Sequence, residues 1–74
     1  MVYLYWRWPG THTDADGRPV TERRAPYGSL SDARGQADHD LALCKASDDY
    51  AAAPLRVLDD GGRVLWEATI PAGR

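Results

Sequence analysis

Leu55-Arg56-Val57-Leu58-Asp59-Asp60-Gly61-Gly62-Arg63-Val64-Leu65-Trp66 is the stretch that decides the fold. Two runs rich in β-branched and large apolar residues flank four turn-forming ones. Asp60-Gly61 at the centre predicts a two-residue type I′ turn, which needs positive φ at both central positions. Such a turn pairs Val57 with Val64 and Leu55 with Trp66. The apolar positions then meet on one face, continued by Ala68 and Ile70. Arg56, Leu58, Leu65, Glu67 and Thr69 occupy the other face.

Upstream of this hairpin, residues 47–53 read as a polar and then alanine-rich linker ended by Pro54. Before the linker, Leu30, Ala33, Ala37, Leu41 and Cys44 recur at spacings of three and four, which draws one apolar stripe along a helix. Ser29 or Ser31 supplies the N-cap, and Asp32 sits in the first turn, where the helix dipole favours a negative charge. The expected helix end is near Ala46. Gln36, Asp40 and Leu43 fall on the opposite side. Ala33 and Ala37 are small enough to let the helix lie close to a sheet.

At the start of the chain, residues 2–8 alternate. Val2, Leu4, Trp6 and Trp8 share one face, while Tyr3, Tyr5 and Arg7 share the other. Pro9-Gly10 ends this strand, and residues 9–19 form a polar loop with an Asp16-Gly17 turn signal. Residues 20–25 form a weaker strand whose charges suit a sheet edge. Pro26 closes it. The expected architecture is α+β: an antiparallel four-stranded sheet with one helix packed on one face, in the order ββαββ. It makes a single domain over residues 1–74. The helix is expected to cover Val2, Leu4, Trp6, Trp8, Leu55, Val57, Val64, Trp66 and Ile70.

Four pieces of the chain, Val2-Tyr3-Leu4-Tyr5, Asp14-Ala15-Asp16-Gly17, Ser31-Asp32-Ala33-Arg34 and residues 57–65, follow one another in a familiar order. This layout resembles a family of short bacterial proteins of unknown function. Those proteins have an aromatic first strand, an acidic glycine-containing turn, an Ala-rich helix and a closing hairpin. The resemblance implies the same ββαββ fold and carries no activity with it.

The totals narrow the function classes. Seventy-four residues with a net charge of −2 do not suit a protein built to neutralise many phosphates. Cys44 is the only cysteine, so neither an internal disulfide nor a cysteine-rich zinc site is available. A core this small often gains stability from a partner chain. The first residues lack the basic stretch of a secretory leader, and no apolar run reaches the ~20 residues of a membrane span. A cytoplasmic location is expected. The abundance of Ala, Arg, Asp and Gly fits a bacterial or phage genome.

Each candidate site has a plain alternative. Asp14-Ala15-Asp16-Gly17 looks like part of a calcium loop, but Arg18 and Ala25 stand where further ligands would be needed, so an ordinary turn is expected. Asp38-His39-Asp40 sits on a helix, where neighbours point ~100° apart, so the three are not expected to converge. His12 is read as a loop histidine. Cys44 is read as a buried, inert thiol. Asp48-Asp49 and Asp59-Asp60 are read as solvated turns. No nucleotide-binding or nucleophile-elbow pattern occurs. No catalytic residue, metal or cofactor is therefore expected, and the chain is read as a non-enzyme.

The open sheet face stands out instead. Tyr3, Tyr5, Leu58 and Leu65, rimmed by Arg7, Arg56 and Glu67, would lie exposed in a monomer. Patches of this kind mark association sites, and Tyr and Arg concentrate binding energy. The expected function is a non-catalytic interaction module that forms a homodimer or docks on another protein. The alternative is a regulator, antitoxin-like or binding single-stranded nucleic acid, with Tyr3 and Tyr5 stacking on bases and Arg7 and Arg56 on phosphates. The acidic balance weighs against nucleic acid.

Overall fold

The structure is a computed structural model and describes residues 1–8 and 13–69. Its elements are β1 (Val2–Arg7), β2 (Glu22–Tyr27), α1 (Leu30–Ser47), β3 (Pro54–Asp59) and β4 (Val64–Glu67). The four strands form one antiparallel sheet in the spatial order β2-β1-β3-β4. The expected α+β class and ββαββ order therefore hold. β1 is a central strand, as its large side chains on both faces require. β2 and β3 both run against β1, so α1 connects two parallel strands with β1 between them and is carried across one face of the sheet.

β2 begins and ends two residues later than expected and runs through Pro26. A proline is tolerated there because β2 is an edge strand with one neighbour, and no second ladder asks for its missing N–H. The expected positions His12 and Ile70 lie outside the described residues.

The turns correct the hairpin reading. Gly61 is not in the positive-φ region, whereas Gly62 is, at φ +83°. The Gly62 N–H donates to the Asp59 carbonyl at 3.0 Å, and the Asp59 N–H donates to the Arg63 carbonyl at 3.0 Å. This is a three-residue loop, a turn followed by a left-handed glycine, rather than a type I′ turn. Asp59 Oδ1 accepts from the N–H groups of Gly61 and Arg63, both at 2.9 Å. Residues 14–18 repeat the arrangement. Asp14 Oδ1 accepts from Asp16 and Arg18 at 2.9 and 3.0 Å, Gly17 stands at φ +79°, and Gly17 N–H donates to the Asp14 carbonyl at 3.1 Å. One five-residue pattern, Asp-x-x-Gly-Arg, thus makes both tips, because the aspartate holds two amides and only glycine sits easily at the fourth position.

The third loop residue shifts the register by one. Leu58 now pairs with Val64 and Val57 with Trp66, where Val57–Val64 and Leu55–Trp66 were expected. Leu65 is the extra residue of a bulge between those pairs. Loop and bulge each move the register by one residue. Together they return Trp66 to the face of Val57 but leave Val64 on the face of Leu58. A second irregularity, between Tyr5 and Trp6, pairs Trp6 with Pro54 and displaces Leu55.

Helix α1 packs on the face made by Val2, Leu4, Trp6, Val57 and Trp66. Ser29 is its N-cap, and its Oγ accepts from the Asp32 N–H at 3.2 Å. Asp48, in the left-handed region at φ 54°, ends it. The core is Leu4, Ala33, Ala37 and Val57, all fully buried, with Val2 beside them. Two alanines at the contact allow the close approach that seals Leu4 and Val57. Leu30, Leu41 and Cys44 continue the stripe half-buried. The linker contributes more than expected, since Tyr50 and Ala53 are buried and the Ala53 carbonyl accepts from the Arg7 N–H at 2.8 Å.

Candidate functional site

Strand register turns the open face into two rows of side chains. Across β2-β1-β3-β4, one row reads Pro26, Tyr3, Leu58, Val64 and the next reads Arg24, Tyr5, Arg56, Glu67. The first is apolar apart from the Tyr3 hydroxyl. The second is charged around a tyrosine. None of these eight residues is buried, and Val64 is 52% exposed.

Arginines roof the tyrosines. The Arg24 guanidinium lies 5.0 Å from the Tyr3 ring centre, and that of Arg56 lies 5.6 Å from the Tyr5 ring, both within cation–π range. Arg56 reaches across β1 to form a two-pronged pair with Glu22 on β2, at 2.8 and 3.2 Å. That hydrogen bond holds the Glu22 carboxyl below its ordinary value, with desolvation opposing. The Tyr5 oxygen is the main cause that raises Arg24 above the usual arginine value.

Six of the seven expected interface residues fall on the open face by register. Tyr3, Tyr5, Arg56, Leu58 and Glu67 share the two rows. Arg7 pairs with Glu22 beyond the charged row and is exposed. Leu65 is exposed at 36% as the bulged residue of β4, outside the ladder pairs that make up the rows. The structure adds Arg24, Pro26 and Val64. Their membership follows from register, and the register depends on the loop length that the Asp-x-x-Gly-Arg pattern signals.

On the covered face, Asp40 is not the solvated residue expected opposite the stripe. Its Oδ2 accepts from Trp6 Nε1 at 2.9 Å, and its Oδ1 accepts from Gln36 Nε2 at 2.9 Å. His39 Nδ1 lies 3.3 Å from the same Oδ1, so His39 and Asp40 do converge, whereas Asp38 lines a groove with Leu30 and Arg34. A cleft of about 370 Å³ opens beside Asp40, between Trp6, Trp8, Arg23 and Ala52. The Arg23 guanidinium stacks 4.6 Å from the Trp8 ring centre.

The remaining candidates resolve locally. Burial first, then Asp40 and Asp49, push the Cys44 thiol above its ordinary value, which lowers the thiolate fraction at neutral pH. Among the described residues, no three His, Cys, Asp or Glu side chains group as a metal site would require. Among them too, no helix is long and apolar enough to cross a membrane. The two turn aspartates, Asp14 and Asp59, are committed to their own loops. Fold and face together define a class, an α+β domain with one sheet face covered by a helix and the other, among the described residues, uncovered. Comparison with known protein families, curated proteins and solved structures finds no match.

Proposed function

We propose that the chain is a non-catalytic, cytoplasmic interaction module that self-associates through the open face of its sheet. The observation that carries this reading is the row Pro26, Tyr3, Leu58, Val64, an apolar line across all four strands with no layer above it among the described residues. The opposing layer is thin, since its fully buried side chains include only Leu4, Val57 and Pro54 among the larger residues. A second copy over the open face would give the sheet the two-sided burial that small domains otherwise lack.

Sedimentation of the whole chain up to high micromolar concentration tests this. The expected result is a dimer that Tyr5→Glu or Leu58→Glu returns to monomer while far-UV circular dichroism stays unchanged. A wild-type chain that remains monomeric throughout ends the proposal. The competing reading, single-stranded nucleic acid stacked on Tyr3 and Tyr5, has weaker support. Both rings already carry a guanidinium, and the charge of Arg56 is engaged by Glu22.

A further inference from the structure

We infer that two copies meet face to face about a twofold axis parallel to the strands, between β1 and β3, so that Arg24 of each copy meets Glu67 of the other. This rests on the self-association proposed above and specifies its geometry. The charges on the open face carry it. Arg24 and Glu67 stand at opposite ends of one row, on the two edge strands, with Tyr5 and Arg56 between them.

Where two such faces stack with their strands aligned, the twofold axis in the plane between them runs either along the strands or across them. An axis along the strands lays β2 of one copy over β4 of its partner and keeps the rows in place. Arg24 then faces the partner's Glu67 twice, Pro26 faces the partner's Val64, and Tyr3 faces the partner's Leu58. An axis across the strands through the charged row lays each strand over its own copy. Arg24 then faces the partner's Arg24, Arg56 the partner's Arg56, and Glu67 the partner's Glu67. Like charges in an interface select against that arrangement. Aligned sheet packings keep their strands within ~30° of one another, so the pairing survives sheet twist.

Edge-to-edge growth of the sheet fits less well. The β2 edge carries Glu22, Arg23, Arg24 and Pro26, and the β4 edge is short and bulged, all features that discourage strand addition. The molecule is also a slab, 33 × 31 × 17 Å, so the open sheet is one of its broad sides. Three strands of six residues and one of four, ~4.8 Å apart and ~3.3 Å per residue, cover roughly 350 Å² of footprint. Doubled over two copies, that footprint is below the ~1,200 Å² of a stable specific interface, so the expected dimer is a weak, transient one.

Charge reversal tests the axis. Arg24 and Glu67 are three strand spacings apart within one chain, ~14 Å, so they scarcely interact except through a partner. R24E and E67R should each weaken association by roughly tenfold or more. Mixing the two variants should restore the dimer as a heterodimer, and the chain carrying both changes should dimerise alone. Circular dichroism of each variant confirms folding. If wild type dimerises but neither the mixture nor the double variant recovers, this axis is wrong and the interaction module stands. Preferential pairing of R24E with wild type would select the axis across the strands and overturn the inference. A monomeric wild type removes the self-association reading itself.

Discussion

The two faces of this sheet are built from the same strands yet solved differently. On the helix side, Leu4 and Val57 lose all contact with water beneath Ala33 and Ala37. On the open side, one residue along in each strand, Tyr3, Tyr5, Arg56 and Leu58 remain partly wet. The difference is confined to the centre of the sheet. Both faces also use one device, a guanidinium laid on an aromatic ring. Arg23 covers Trp8 and Arg34 covers Trp66 on one side, while Arg24 covers Tyr3 and Arg56 covers Tyr5 on the other. One helix fully buries side chains only on the middle strands, so arginine side chains shield rings that are left half-buried.

The sharpest way to break this contrast is truncation at the centre of each face. Leu4→Ala should cost about 2–5 kcal/mol, much of the stability of a domain this size, and should lower the urea midpoint accordingly. Tyr5→Ala, measured on dilute protein, should cost about 1 kcal/mol, mostly half-burial and the Arg56 contact. Equal losses would mean that the faces do not differ in the way described. Asp40→Ala comes next, about 1–3 kcal/mol, because it strips the acceptor from the half-buried Trp6 Nε1. Asp40→Asn retains an acceptor oxygen and should recover part of that loss in the same denaturation assay.

Smaller effects should separate the two Asp-x-x-Gly-Arg tips. Gly62→Ala places a Cβ at φ +83° and should lower stability by about 1–2 kcal/mol. Gly17→Ala meets the same strain, but its loop is tied by the single bridge between Thr13 and Pro19, so it should open locally with less change in global melting. The smallest effect concerns Glu22. Its folded pKa lies below the reference 4.5, so its pairing stabilises fully above that value and is lost as pH falls through the lowered one. Wild type should therefore exceed Glu22→Gln by about 0.2–1 kcal/mol at neutral pH, and the gap should close in acid.

Period-two alternation in residues 2–7 and the three-four spacing of residues 30–44 made the strand, the helix and the covered face legible from sequence. Both patterns come directly from backbone geometry. The cap was legible as Ser29 or Ser31, of which the helix uses Ser29. Register in the last hairpin was not, because Asp60-Gly61 is a strong dipeptide signal that hid the longer Asp-x-x-Gly-Arg one. Misjudging the loop by one residue moved Val64 to the wrong face. Asp40 was misread because helical periodicity marks a charged residue as solvated and cannot see a tryptophan N–H arriving from another strand. Tyr50 was missed because it belongs to no period at all.

The loop at 60–62 and the bulge at Leu65 amount to two odd insertions whose sum is even. Parity therefore couples two places that look independent. Straightening β4 without removing a residue, or closing the turn on Asp60-Gly61 without removing Gly62, would invert every later side chain, aiming Glu67 at the helix and Trp66 at solvent. Deleting Gly62 or Leu65 instead removes an unpaired residue and leaves Leu58 opposite Val64 and Val57 opposite Trp66. Only both register changes together would keep Trp66 on the covered face. A deletion scan of residues 60–66 should accordingly tolerate removal of Gly62 or of Leu65 better than removal of Trp66.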